Sequence, residues 1–161
     1  MSQYPKGGDE VTLQVRRVKV STSVHATEDE GKVMKALRTV FPPDVRNILE
    51  FKRSEYRGHW GNTIVVIETE IRDYPSALKT IRWIAEKLSE LDKRLLRFEL
   101  RDRVDKSLNL YLRFNKQAAY QGRLEVDNGD DVIKVVIGFH GSRQLQDLSK
   151  YLSEIGLMTG E

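Results

Sequence analysis

The order in which two hydrophobic periods follow one another constrains this chain more than any other feature. On either side of "YRGHWGNT", residues 56 to 63, stand two stretches of strand character: Ile48 to Glu55 and "TIVVIETEI". In the second, Val65, Ile67, Thr69 and Ile71 share one face while Glu68 and Glu70 mark the other. That alternation predicts a sheet buried on one side and wetter on the other, as in antiparallel sheets. Two strands joined by so short a loop form a hairpin.

The flanking segments fit this frame. Val11, Leu13 and Val15 alternate on odd numbers, and Val18, Val20 and Val24 on even ones. A change of phase within one strand predicts a β-bulge at Arg16-Arg17. Thr27 and Glu30 have capping-box spacing, and Val33, Met34, Leu37 and Val40 then recur at helical spacing until Pro42-Pro43 ends the helix. Asp73 and Tyr74-Pro75 open a second helix with the stripe Ala77, Ile81, Ile84, Leu88 and Leu91. "KRLLRFELRDRVDKS" predicts a short helix ending near Val104. A strand with Leu110, Leu112 and Phe114 inward follows, then a turn of helix over Lys116 to Tyr120, capped by Asn115 and closed by Gly122. "RLEV" is expected to resume the sheet. Asp127-Asn128-Gly129 is a turn signal, and Ile133, Val135, Ile137 and Phe139 alternate in a further strand. A last helix from Ser142 carries Leu145, Leu148, Leu152 and Ile155.

Paired strands interrupted by helices do not make the regular alternation of a doubly wound sheet. They predict an α+β fold in two layers, a mostly antiparallel sheet with helices packed on one face. Residues 1 to 10, polar and containing Gly-Gly, are expected to form a flexible arm, and residues 11 to 158 a single domain, within reach of a chain of 161 residues.

Composition narrows the function. The chain has no cysteine, which removes disulfides, thiolate metal sites and cysteine nucleophiles together. No membrane-length apolar run and no signal-peptide core is visible, so a cytoplasmic protein is expected. His25, His59 and His140 show no helical metal-ligand spacing, and the acidic run Glu28, Asp29, Glu30 fits a helix start better than a metal site. Gly58 and Gly61 form no P-loop, and no nucleophile elbow is present. No catalytic residue, cofactor or metal is therefore expected.

The net charge of +3 is only mildly basic, so grouping matters more than total. Around the hairpin, Lys52, Arg53, Tyr56, Arg57, His59 and Trp60 combine cations with aromatic rings; Gly58 and Gly61, tolerant of positive φ, would build the turn. Bases stack on aromatic faces and phosphates pair with arginine and lysine, so this composition suits RNA. The alternative is Trp60 folded back as a lid on the sheet edge. Arg113, Lys116, Tyr120 and Arg123 repeat the combination. Arg94, Arg97, Arg101 and Arg103 are interleaved with Glu99, Asp102 and Asp105, as on a solvated, salt-bridged face.

"HATED" at 25 to 29, "EYRGHWGNTI" at 55 to 64 and "NLYLRFNKQAAYQG" at 109 to 122 resemble an archaeal family of predicted RNA-binding, exosome-associated proteins. The resemblance extends roughly from Val18 to Phe139. It implies a fold similar to that of the ribosomal protein that binds 5S RNA, an archaeal source and RNA as partner, with the exosome or ribosomal components as further partners. The family usually has an acidic residue where Asn115 stands; either residue can cap a helix. Two functions follow: a non-catalytic RNA-binding module, or a protein–protein adaptor that uses Trp60 and the sheet edge inside an RNA-processing assembly.

Overall fold

The computed structural model describes residues 13–159, so the N-terminal arm and Val11 lie outside the described residues. Five strands form one antiparallel sheet: β1 (Gln14–Val24), β2 (Lys52–Arg57), β3 (Thr63–Ile71), β4 (Leu110–Asn115) and β5 (Val132–His140). Their spatial order is β2-β3-β1-β5-β4. The helices are α1 (Glu30–Arg38), α2 (Pro43–Arg46), α3 (Tyr74–Lys87), α4 (Glu90–Phe98), α5 (Lys116–Tyr120) and α6 (Leu145–Ile155), with a 3-10 turn at Leu100–Arg103. The fold is α+β.

The alternation read from sequence sets the buried face. Val18, Val20, Ile67, Ile71, Leu110, Leu112, Phe114, Ile133, Val135 and Ile137 all lie in one core with Leu37, Ile81, Ile84, Leu148 and Leu152 from the helices. The β1–β5 register slips between Val15 and Arg17, the expected bulge, and puts Val15 and Val18 on the same buried face.

Several boundaries differ from expectation, each for a local reason. Asp29, not Thr27, caps α1, its carboxylate accepting from the Gly31 and Lys32 N–H groups. Glu28 reaches back to the His25 N–H instead. Pro43 starts α2, so the next strand begins only at Lys52 and Ile48 is exposed. Leu88 is extended and Ser89 caps a fresh helix, which removes Leu91 from the α3 stripe and leaves it 72% exposed. "RLEV" contributes only the bridge Phe114↔Val126, held by the Asn115 N–H on the Glu125 carbonyl and the Asp127 N–H on the Arg113 carbonyl, while the Val126 N–H, turned away from β4, donates to the Asp92 carboxylate. α6 begins at Leu145 rather than Ser142, with Leu148 and Leu152 fully buried and Leu145 and Ile155 only partly so.

Candidate nucleic-acid interface

β2 pairs only with β3, in the register Lys52↔Glu68, Arg53↔Ile67, Ser54↔Val66, Glu55↔Val65, Tyr56↔Ile64 and Arg57↔Thr63. Strand side chains alternate between faces. Lys52 and Tyr56 therefore stand on the open face of the sheet with Glu68, while Arg53 and Arg57 stand on the helix side with Ile67. The compact basic group suggested by sequence is split across two faces. Its members also differ in what stands beside their charge. Arg53 bonds Glu30 through Nε at 3.0 Å and Glu55 through a terminal nitrogen at 2.6 Å; these two carboxylates raise its pKa and neutralise it locally. Lys52 and Arg57 have no carboxylate partner among the described residues.

The tip does not fold back. Trp60 is 89% exposed and touches only His59 among aromatic neighbours, edge to face with centroids 5.0 Å apart. The lid alternative is excluded by this exposure. Gly61 has φ +85, as the turn requires. Gly58 does not have positive φ; it is needed for space, since a Cβ there would come within 2.6 Å of Asn62 Oδ1.

The second predicted group is not an assembled site either. Arg113 lies on the open sheet face beside Lys134 and makes only long contacts, 3.5 Å, to the Asn128 and Gly129 carbonyls. Arg123 pairs with Glu125 at 3.0 Å. Lys116 is the most committed: its ammonium donates to the Ser23 carbonyl at 2.6 Å and pairs with Glu28 at 3.1 Å and Asp131 at 2.6 Å. The Lys116 hydrogen bond holds the Asp131 carboxyl below its usual range. His25, Glu28 and Asp131 place one ligand atom each within 4.8 Å of one another, an arrangement able to hold a metal ion. The Lys116 ammonium already bridges the two carboxylates, and a divalent ion would have to displace it. In the arginine run, Arg103 is buried and paired with Glu99 at 2.6 Å rather than solvated.

Tyr120 lines a small depression together with Lys116 and Glu28 and belongs to a second neighbourhood as well. It faces a cleft of about 520 Å³ that also takes Lys35, Arg38, Arg46, Trp83 and Lys87. No sequence argument singled out these five residues. The available signal was a tryptophan standing off the Ala77, Ile81, Ile84 and Leu88 stripe of α3, and cations in the last turns of α1, α2 and α3.

The model of a family described as RNA binding matches residues 17–139. The chain belongs to that family. Two archaeal proteins are similar to it. The chain is 37% identical over 126 residues to the RNA-binding protein PAB1135 of Pyrococcus abyssi, an alignment covering 78% of this chain and 82% of the relative. It is 35% identical over 125 residues to the uncharacterized protein MJ0213 of Methanocaldococcus jannaschii, covering 76% and 83%. Among solved structures it is similar to Mth689, a DUF54 protein from Methanothermobacter thermautotrophicus, with a TM-score of 0.72, 26% identity, and coverage of 88% of this chain and 98% of that one. The family match spans both the hairpin and the cleft.

Proposed function

We propose that this protein is a non-catalytic, cytoplasmic RNA-binding module that contacts single-stranded RNA through the β2–β3 hairpin. One observation carries the reading: Trp60 is presented almost fully to solvent at the tip of an arm whose Tyr56 is 59% exposed and whose Lys52 and Arg57 lack carboxylate partners among the described residues. An indole held in water costs solvation and does nothing for the core. A base offers it the π-face it lacks, with the phosphates falling to the neighbouring cations. The RNA-binding family and the name of the Pyrococcus relative support the ligand class. The exosome or the ribosome is the assembly in which such a module would meet RNA, a proposal supported by the sequence resemblance.

The test is the salt dependence of oligouridylate binding. Each lost phosphate contact on a single strand lowers the slope by about 0.7. Replacing Lys52 and Arg57 by serine should therefore shrink it by about 1.4. Trp60→Ala should cost about 1–3 kcal/mol of binding by removing a stacking platform. Unchanged affinity and slope in both variants would leave the hairpin as a protein–protein contact, the adaptor function.

A further inference from the structure

Two sets of cations in the chain differ in what stands beside them. Arg17, Lys19, Arg53, Arg72, Lys79, Arg103, Lys116 and Arg123 each lie within ion-pair distance of a carboxylate. The cations of the cleft lie against aromatic rings instead. Lys35 Nζ is 4.7 Å from the Tyr120 ring centroid, Lys87 Nζ 4.7 Å from that of Trp83, the Arg46 guanidinium 5.6 Å from Trp83, and the Arg38 guanidinium 5.3 Å from Phe51. The difference is chemical. A carboxylate cancels a cation, whereas a ring quadrupole holds it and leaves its charge intact. Among the described residues none of these four cations has a carboxylate within ion-pair distance; the nearby Asp44 is bonded to Lys79 at 2.9 Å.

The cleft is also pre-shaped. Arg46 Nε donates to the carbonyls of Arg38 at 2.9 Å and Phe41 at 2.7 Å, which fixes the guanidinium and leaves both terminal nitrogens without a described acceptor. Trp83 Nε1 donates to the Thr39 carbonyl at 2.9 Å. Both side chains are thus clamped to the chain leaving α1. Burial, and then the adjacent Arg38 charge, lower the Arg46 pKa, as expected where positive charge is crowded without compensation.

Helix dipoles account for part of this arrangement, because cations are favoured at helix C-termini. The last turns of α1 and α3 each contribute roughly −0.5 charge, about −1 together against four positive side chains. About +3 remains in one concave surface. We propose that this cleft is a second phosphate site for the same RNA, holding backbone phosphates between Lys35, Arg38, Arg46 and Lys87. The assignment rests on the RNA-binding reading but uses none of the hairpin residues. Arg53 contacts Glu30 at the start of α1 while Phe51 meets Arg38 at its end. The hairpin and the cleft therefore lie toward opposite ends of α1, and one strand that occupies both must run along that flank.

The two tryptophans of the chain give each site its own reporter, since their indole N–H signals resolve separately by NMR and Trp60→Ala assigns them. Titration of the intact protein with oligouridylate should shift both signals, and inorganic pyrophosphate should shift Trp83 alone. Lys35→Glu with Lys87→Glu, both exposed and hydrogen-bonded to nothing described, should abolish the Trp83 shifts and keep the Trp60 shift. A Trp60 response with Trp83 unmoved would overturn the cleft and leave the RNA function standing. If RNA moves neither signal, the RNA function itself falls, whatever pyrophosphate does. Lys35→Gln with Lys87→Gln, checked against the parent melting temperature, separates lost attraction from introduced repulsion: it should reduce the oligouridylate salt slope by about 1.4, and an unchanged slope would also overturn the cleft.

Discussion

Trp60 and Trp83 stand in similar company, each near arginine and lysine, and are held in opposite ways. Trp60 sits on a turn of five residues between β2 and β3 with His59 as its aromatic contact. Trp83 lies half-buried on α3, hydrogen-bonded to Thr39, with Lys87 and Arg46 over its ring. The first projects into solvent from a hairpin; the second belongs to a surface already fixed by hydrogen bonds to the chain. Composition along the chain does not distinguish them. Tertiary convergence does, because the cleft draws on α1, α2, α3 and α5, whereas the hairpin is contiguous in sequence.

The bluntest way to break this contrast is to remove the frame both regions share. Ile67 is fully buried in the centre of the core, and Ile67→Asp should cost about 4 kcal/mol or more, because an unpaired carboxylate there is expensive to bury. Urea titration should show both sites lost together; a parent-like midpoint would mean that the strand faces are reversed. Trp83→Ala comes next. It removes a half-buried ring and a hydrogen bond to Thr39, and should lower stability by about 2 kcal/mol. Trp60→Ala should stay within about 0.5 kcal/mol of the parent. Equal losses in the two variants would dissolve the distinction between arm and surface.

Lys116 sharpens the comparison from the side of charge. Its side chain is 10% exposed, and its ammonium holds the Ser23 carbonyl with the Glu28 and Asp131 carboxylates. Lys116→Met should cost about 1–3 kcal/mol at neutral pH by leaving these acceptors short of a donor. The Asp131 pKa is lowered in the folded protein, so its contribution is complete above the ordinary aspartate value of about 3.9 and disappears as pH falls through the folded value. The stability gap between parent and variant should therefore narrow as pH falls below about 4, while the share that comes from the Ser23 carbonyl remains. The smallest effect is reserved for Arg53: Arg53→Ser should leave the RNA salt slope unchanged, since Glu30 and Glu55 already cancel that charge. A slope reduced by about 0.7 would show that Arg53 leaves its carboxylates for phosphate.

These differences also mark what the sequence could show. Period-two runs such as Val65 to Ile71 and Ile133 to Phe139 face one way whatever surrounds them, so the sheet and its buried side were legible, as was the bulge at Arg16-Arg17. Helix starts were less so. Aspartate and threonine are both capping residue types, and the choice of Asp29 over Thr27 turned on which side chain met the free N–H groups of α1. For the interface, adjacency in the chain was a poor guide to adjacency in space. Lys52 and Arg53 point to opposite faces, Lys116 is consumed by Asp131 from 15 residues further on, and Tyr120 joins cations of α1. Whether a cation is cancelled depends on carboxylates as far as 88 residues away, as with Lys116 and Glu28, and no local pattern records that.

β2 also has a consequence apart from RNA. As the outermost strand next to β3, it leaves one row of backbone N–H and C=O groups without a ladder among the described residues, the kind of border along which sheets from separate molecules can join. Lys52, Arg53, Glu55 and Arg57 line that border with bulky, hydrated charge, and every residue of β2 is at least partly exposed. Side chains suited to a polyanion thus also act as a fence against self-association. Serine at Lys52 and Arg57 would lower it, and concentrated solutions of that variant should form β-rich aggregates sooner than the parent, visible as thioflavin fluorescence at equal folded stability.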